Sequence, residues 1–289
     1  MLQLSEKNLD TNDQQVLSDL QNRVNKGRNF KEKAYIAKTL WNSKGNNAGK
    51  QAFVKIAATL ADMCVFVKTC NYCEGNEAND IEHIYPKSFF PEYTFHWQNY
   101  VLACKQCNSS HKLDKSFVLD AHGNIHATIR GYEPLHKTVA IINPRREDPN
   151  RFLWLNMSIG KFEVFDDLNT TDKNKAIKTL EILALNERDY LVEGRKKTHG
   201  ELFDKMDRLC RILNADNIAE MERILAPYYG IIDITLPIEI LKNQIKYTTQ
   251  QHIQKQLHPS VWYATKTILS KTEPRWQRIF TTIPEALSW

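Results

Sequence analysis

The sequence lacks a long apolar run and a basic N-terminal leader. Its most apolar stretch, residues 53–67, is interrupted by Lys55 and Asp62 and is shorter than the roughly 20 residues that a membrane span needs. Residues 1–15 are polar and acidic, whereas a secretory signal starts with basic residues and continues with an apolar segment. We therefore expect a cytoplasmic protein without a membrane partner.

Strong charge imbalance, internal repeats and low-complexity linkers are also missing. The 39 Lys and Arg residues exceed the 34 Asp and Glu residues, which gives a net charge of +5 over 289 residues. Such a surplus suits a polyanionic partner, but many enzymes with other substrates carry a similar one. Because 42% of the residues are hydrophobic, the chain can bury a core in one large domain or two smaller ones.

Hydrophobic periodicity predicts a mainly α-helical chain with one small α+β module. Apolar side chains recur at helical spacing before residue 70 and again after residue 170, whereas residues 80–85 alternate as a strand does. Residues 151–165 predict a β-hairpin. The predicted segments are an N-terminal helical segment of residues 1–69, a central module of residues 70–170 and a C-terminal helical domain of residues 171–289.

The N-terminal helices are predicted to bury one side each. In the second helix, Tyr35, Ile36, Leu40 and Trp41 recur at the spacing of a single face, which would turn them towards the core. A more apolar helix over residues 52–67 is expected to lead directly into the central module.

Four of the six cysteines form two Cys-x-x-Cys pairs, Cys70 with Cys73 and Cys104 with Cys107. Each pair fits one turn, and two such turns supply the four thiolates of a tetrahedral structural zinc site. Stable disulfides are unusual in the cytoplasm, and a redox Cys-x-x-Cys motif normally occurs once, in a βαβ unit. We therefore predict a closed, structural Zn²⁺ site.

An acid, a histidine and two asparagines are ordered around the second cysteine pair. Glu82 and His83 are adjacent, Asn99 follows within "WQNYVLAC", Asn108 comes directly after the last cysteine, and His111 stands three residues later. This order resembles the HNH, or ββα-metal, nuclease motif over residues 70–115. The resemblance implies a zinc-stapled ββα-metal core embedded between the N- and C-terminal helical segments.

The resemblance also implies a role for each of these residues. His83 would be the general base, Glu82 and Asn108 would hold a catalytic Mg²⁺ or Mn²⁺, and Asn99 would orient the His83 loop. His111 would be a third ligand or a phosphate contact. These residue types suit phosphodiester hydrolysis, because imidazole accepts a proton near neutral pH and hard cations prefer oxygen ligands. Many HNH sites have Asp where this chain has Glu82.

Basic residues near the motif are candidates for binding nucleic acid. Lys112 follows the predicted ligands directly, and Arg145 and Arg146 follow an Asn-Pro turn that can present guanidinium groups to phosphates. The alternative for the two arginines is a pair of salt bridges to Glu147 and Asp148.

Longer segments are similar to PtuB-like HNH proteins of Septu and retron-associated anti-phage systems. The similarity implies a controlling ATPase subunit as partner and nucleic acid as substrate, with DNA favoured over RNA, although no base-reading element separates the two. The alternative function is a zinc-stabilised module that binds nucleic acid or protein without cutting. The segments that carry the similarity are "CNYCE", "DIEHIYPKS", "WQNYVLACKQCN", "IINPRREDPNRFLWLNMSIGK", "AIKTLEILALNERDYLVEGRKK", "HPSVW" and "PEALSW".

Overall fold

In the part of the chain that the structure describes, helices predominate, and there are three small antiparallel sheets. The computed structural model describes residues 1–65, 68–229 and 236–289. This architecture confirms the prediction of a mainly α-helical chain with a small α+β part. Within the described ranges, the helices are too short or too polar to cross a membrane.

The chain divides into two compact units. The first contains Met1–Asn156 and Lys161–Val192, and the second contains Met157–Gly160 and Glu193–Trp289. The predicted boundary near residue 70 falls inside the first unit, because the N-terminal helices pack on the central module.

Three N-terminal helices begin the first unit: α1 (Thr11–Asn25), α2 (Phe30–Ser43) and α3 (Asn47–Asp62). Each begins at an Asp or Asn whose side chain accepts a hydrogen bond from a backbone N–H of the first turn. The apolar helix predicted over residues 52–67 is wrong in its end point, because α3 stops at Asp62; residues 66 and 67 lie outside the described part of the chain.

The buried face of α2 differs from the predicted one. Ala37 and Leu40 are buried, whereas Tyr35 is 72% exposed. Residues 35 and 37 are about 200° apart around a helix with 3.6 residues per turn, so they cannot both face the core. The prediction that Tyr35 packs inward is therefore wrong.

A strand–strand–helix unit follows the first cysteine pair. Strands β1 (Asp80–His83) and β2 (Tyr100–Ala103) pair antiparallel, with His83 opposite Tyr100. After β2 the chain enters a short π-helical segment, Gln106–Lys112. The connection from β1 to β2 contains two single 3₁₀ turns, Pro91–Tyr93 and Trp97–Asn99.

The remainder of the first unit consists of short strands and one helix. Strands β3 (Phe117–Leu119), β4 (Ile125–Ala127) and β5 (Thr138–Val139) form a three-stranded sheet in the order β4-β3-β5. The predicted hairpin is present as β6 (Leu153–Asn156) and β7 (Lys161–Val164), and Gly160 closes its turn with a φ of +69°, a conformation that glycine adopts easily. Helix α4 (Thr170–Leu183) follows the hairpin.

The second unit is helical, as predicted for this part of the chain. Trp262, Trp276 and Phe280 pack against one another in its core, with ring centres 5.9 to 6.3 Å apart. Helix α5 begins in the first unit and belongs to the second from residue 193. The helices are α5 (Asp189–Leu213), α6 (Ile218–Tyr229), α7 (Ile238–Gln254), α8 (Pro259–Ala264), α9 (Ser270–Thr272) and α10 (Pro274–Thr282).

Candidate active site and metal centre

The two Cys-x-x-Cys pairs meet in one buried cluster. The four Sγ atoms of Cys70, Cys73, Cys104 and Cys107 all lie within 4.8 Å of one another, and those of Cys73 and Cys104 are 3.8 Å apart. A zinc ion about 2.3 Å from four tetrahedral sulfur atoms separates each pair of them by about 3.8 Å. All six cysteines lie in the described part of the chain and are free. The cluster can therefore bind a metal such as zinc.

Local backbone hydrogen bonds hold the two cysteine turns together. The N–H of Asn71 donates to the carbonyl of Leu102, and the N–H of Leu102 donates to the Asn71 side chain. The first turn is thus fixed to β2, and the second turn continues directly from the end of that strand. This contact explains why 30 residues can separate the pairs while their sulfur atoms converge.

Arg188 provides a positive charge beside the cluster. Both terminal nitrogens of its guanidinium lie 3.4 Å from the Cys107 Sγ, and the group also donates to the carbonyls of Leu183 and Ala184 at the end of α4. Hydrogen bonds to thiolate sulfur orient metal ligands and offset their negative charge. Sequence reasoning missed this residue, because Arg188 stands 81 positions after Cys107 and no local spacing connects them.

His83 lies at the end of β1 and is buried. Its Nε2 is 3.0 Å from the carbonyl oxygen of Thr94, and its ring packs against Trp41 with ring centres 4.2 Å apart. Because a carbonyl oxygen only accepts, Nε2 carries the hydrogen, and Nδ1 is the basic nitrogen of the neutral ring. Burial holds the pKa of His83 well below its usual value, and the nearby Lys87 lowers it further.

Asn99 is buried and ties together the two ends of the loop between β1 and β2. Its Oδ1 accepts from the N–H of Tyr85 at 2.7 Å, and its Nδ2 donates to the carbonyls of Tyr85 and Tyr93. Tyr93 directly precedes Thr94, whose carbonyl contacts the His83 ring. The Asn99 side chain therefore holds, through hydrogen bonds, the segment whose Thr94 carbonyl contacts His83.

Glu82 forms a buried ion pair with Lys112. The Lys112 Nζ lies 2.5 Å from the Glu82 Oε1 and 2.7 Å from the carbonyl oxygen of His83. Burial raises the pKa of Glu82, and the Lys112 ammonium opposes this shift. The prediction that Lys112 contacts nucleic acid is wrong, because its side chain is only 1% exposed and its charge is used inside the protein.

Asn108 and His111 lie on the π-helical segment but differ in their surroundings. Asn108 donates from Nδ2 to the Oδ2 of Asp80 at 2.9 Å and shares a cleft with Glu82 and His83. His111 is not among the described residues that line this cleft. Burial lowers the pKa of His111, and the positive charges of Arg188 and Lys115 lower it further. Four of the predicted site residues lie on β1 and the π-helical segment. The structure brings Glu82, His83 and Asn108 together in this cleft, and the fourth, His111, is not among the described residues of its lining.

The shared cleft has a volume of about 540 Å³ and a surplus of basic side chains. Its two carboxylates among the described residues, Glu82 and Asp114, pair with Lys112 and Arg130. Three further lysines have no carboxylate partner in the cleft lining. The residues that line the cleft include Phe30, Lys31, Ala34, Tyr35, Lys38, Asn42, Glu82, His83, Lys87, Asn108, Lys112, Asp114 and Arg130.

Arg145 and Arg146 have different surroundings. The guanidinium of Arg145 is buried, stacks on Trp97 and donates to Glu6 and to the carbonyls of Trp97 and Tyr100. The phosphate contact predicted for Arg145 is therefore wrong, and so is the alternative pairing within its own turn, since its carboxylate partner is Glu6. Arg146 is exposed and donates to Gln98 at 2.6 Å.

The chain is similar to a known Septu protein. It is 22% identical over 236 residues to the Septu protein PtuB of Bacillus thuringiensis, which covers 79% of this chain and 73% of PtuB. No family model matches the chain, and no solved structure matches it. The similarity to PtuB extends well beyond the cysteine module and confirms the resemblance of this chain to PtuB-like proteins that the sequence motifs indicated.

Proposed function

We propose that the protein is a metal-dependent HNH endonuclease that hydrolyses phosphodiester bonds of nucleic acid in an anti-phage defence system. One observation carries this proposal: Glu82, His83 and Asn108 line a single basic cleft on a strand–strand–helix unit. The likeness to PtuB supports a place in defence, and the ordered residues of the motif support the nuclease.

His83 is the general base of the proposed reaction. Its Nδ1 takes a proton from water while the water oxygen bonds to phosphorus and the bond from phosphorus to the leaving oxygen breaks. Thr94 holds the ring through Nε2, which fixes the tautomer with a basic Nδ1. Burial and Lys87 keep the ring neutral at neutral pH, so the base is ready before water binds.

Glu82 and Asn108 fit a hard divalent cation by the chemistry of their donors. The Asn108 Nδ2 donates to Asp80, which leaves Oδ1 as the atom for a metal, and a carboxylate is the other preferred type of ligand. When bound there, Mg²⁺ or Mn²⁺ would stabilise negative charge on the phosphate and on the leaving oxygen. The thiolates of the cysteine cluster suit Zn²⁺ instead, in a structural role.

The charge of the cleft fits a polyanion. Lys31, Lys38 and Lys87 line it without a carboxylate partner in the lining, while Lys112 and Arg130 are paired within the protein. Basic side chains in a cleft raise the local concentration of nucleic acid and neutralise its phosphates. These lysines replace Lys112 and Arg145 as the proposed phosphate contacts, and Arg146 stays a proposal on a different surface.

The proposed partner is an ATPase subunit that controls the nuclease, as the resemblance to PtuB-like proteins implies. We place this complex in the cytoplasm, where the free cysteines stay reduced and available for zinc. The substrate is DNA in the first instance, and RNA is the other nucleic acid to test.

The proposal is tested by co-purifying the protein with the product of its neighbouring gene and assaying DNA and RNA with Mg²⁺ or Mn²⁺, with and without ATP. We expect cleavage that His83→Ala lowers about 100-fold or more, at unchanged zinc content. His122→Ala is the matched control, because His122 is exposed and lies outside the cleft. Undiminished cleavage by His83→Ala would remove His83 as the base.

A binding module that does not cut is the second candidate. The observation in its favour is the Glu82–Lys112 pair, since a carboxylate already neutralised by an ammonium has less need of a metal ion. Tight nucleic-acid binding with no cleavage under any of these metal, ATP and partner conditions would favour the binding module over the nuclease.

A further inference from the structure

Helix α2 forms a wall of the catalytic cleft, although it lies outside the strand–strand–helix unit. Residues 31, 34, 35, 38 and 42 of α2 all line the cleft that contains His83. Their spacing of three or four residues puts them on one face of the helix. Because Ala37 and Leu40 face the core, this lining face is the outward side of α2. The N-terminal helices therefore shape the cleft as well as supporting the fold.

Tyr35 stands in the middle of this wall with its ring in solvent. Its exposed fraction of 72% is high for a large aromatic side chain, and most of the residues that surround it in the cleft are polar or charged. An exposed aromatic ring in a basic groove is the usual platform on which proteins stack unpaired nucleobases. A nucleobase inside a duplex is already stacked on its neighbours and cannot reach such a ring without leaving the helix.

Two lysines flank this ring along the same helix face. Lys31 lies one turn before Tyr35 and Lys38 one turn after it, and both side chains are exposed. The Lys31 Nζ lies over the Tyr132 ring, 5.9 Å from the ring centre. The acidic residue of this helix, Glu32, pairs with Arg28 and does not line the cleft in the described structure. The wall thus alternates cation, aromatic ring and cation along two turns of helix, an order that puts a cation on either side of a base stacked on the ring.

We propose that α2 binds the substrate strand, that this strand is unpaired at the cleft, and that one of its bases stacks on Tyr35 while Lys31 and Lys38 contact the flanking phosphates. This inference rests on the proposed nuclease function and specifies its substrate class as single-stranded or looped nucleic acid. Stacking is indifferent to the sugar, so DNA and RNA both satisfy this chemistry, and the experiment separates them.

The test measures binding in the full-length His83→Ala background, together with the neighbouring subunit where it co-purifies, so that no substrate is cut. The probes are single-stranded DNA, single-stranded RNA and duplex DNA, each with one 2-aminopurine whose fluorescence falls when it stacks. We expect a preference for single strands and quenching on binding. Tyr35→Ala should weaken single-strand binding about ten-fold and abolish the quenching, whereas Tyr35→Phe keeps both.

Matched controls separate stacking and phosphate contacts from general effects. Tyr247→Ala removes another well-exposed tyrosine, 64% exposed, from helix α7 and should change neither affinity nor quenching. Log affinity falls linearly as log salt concentration rises. The double variant with Lys31→Ala and Lys38→Ala should make this slope less steep by about 1.4, whereas Lys50→Ala on α3 should leave it unchanged.

The outcomes distinguish this inference from the proposed function. Tyr35→Ala that binds single strands as well as the parent, or a parent that prefers duplex, overturns the inference even where cleavage depends on His83. If Tyr35→Ala weakens single-strand binding but the unmodified chain cleaves no substrate, the strand-binding role of α2 is supported and only the nuclease proposal is contradicted.

Discussion

The ammonium nitrogen of Lys112 lies 2.5 Å from Oε1 of Glu82, and both side chains are buried. A buried carboxylate stays ionised only beside a compensating cation. The Lys112 ammonium therefore neutralises the Glu82 carboxylate, as a divalent cation bound there would. The arrangement connects protein stability to metal binding at this position.

Lys112→Met tests this connection through stability. We expect the variant to lose about 3 kcal/mol of unfolding free energy without divalent metal, because Glu82 is left buried and unpaired. Mg²⁺ should then raise the melting temperature of the variant more than that of the parent, since the ion replaces the missing charge. Thermal melts at increasing Mg²⁺ measure both effects.

Two further variants make the result specific to Glu82. Lys115→Met removes an exposed lysine three residues away and should behave as the parent does. Glu82→Gln combined with Lys112→Met removes both charges, so it should regain stability without metal and lose the extra response to Mg²⁺. An equal response to Mg²⁺ in the parent and in Lys112→Met would contradict the connection between the Lys112 charge and metal binding at Glu82.

The pKa of His83 predicts the pH dependence of cleavage. Because burial lowers this pKa well below 6.5, the ring stays unprotonated at pH 6.5 and becomes protonated only at lower pH. A base works in its unprotonated form, so single-turnover rates should stay flat from pH 8 down to about 6.5 and fall only below that value.

The same profile at several Mg²⁺ concentrations identifies the group that titrates. Burial raises the pKa of Glu82, which can also produce an acidic limb. Metal competes with protons for a ligand, so a limb that came from Glu82 would move to lower pH as Mg²⁺ rises, whereas one from His83 would not. A rate that already falls above pH 6.5 and does not respond to Mg²⁺ contradicts the assignment of His83.

The cysteine cluster was predictable from sequence because its chemistry is local. Two Cys-x-x-Cys turns specify their own geometry, and few other structures use four thiols in this pattern. The β6–β7 hairpin was predictable for a similar reason, since alternation and a turn glycine are short-range signals. The mainly helical character also follows from periodicity summed over many residues.

The predictions that were wrong mostly concern residues whose partners are distant in sequence. Arg145 stands next to acidic residues in its own turn, yet its carboxylate partner is Glu6, 139 positions earlier. Lys112 appears exposed on a basic helix end, but the fold places it over a buried carboxylate 30 positions before it. Periodicity predicts that Tyr35 faces the core because it counts an aromatic ring as apolar, whereas packing places the face containing Ala37 and Leu40 inward.

Loss of one cluster thiolate should unfold the first unit. Binding of a structural zinc ion contributes roughly 10 kcal/mol or more of folding free energy, which is as large as the usual total stability of a domain. We therefore expect Cys70→Ser to lose zinc by elemental analysis and to be insoluble or unfolded by circular dichroism. Cys64→Ser is the control, because this thiol donates to the Leu60 carbonyl and lies outside the cluster, so a hydroxyl can replace it. A folded, zinc-free Cys70→Ser protein would contradict the structural role of the metal.

Arg145 and Arg146 are adjacent in sequence, and the structure predicts a large loss of stability for replacement of the first and almost none for the second. Arg145→Met should lower the unfolding free energy by about 3 kcal/mol, because it leaves the carbonyls of Trp97 and Tyr100 without their donor. Arg146→Met should change it by no more than about 0.5 kcal/mol, since this side chain is exposed. Urea denaturation of both variants measures the difference.

Neither the affinity of folded Arg145→Met for nucleic acid nor its salt dependence should change, because the guanidinium is enclosed by Glu6 and Trp97. A stable Arg145→Met protein with a shallower salt dependence would restore Arg145 as a phosphate contact.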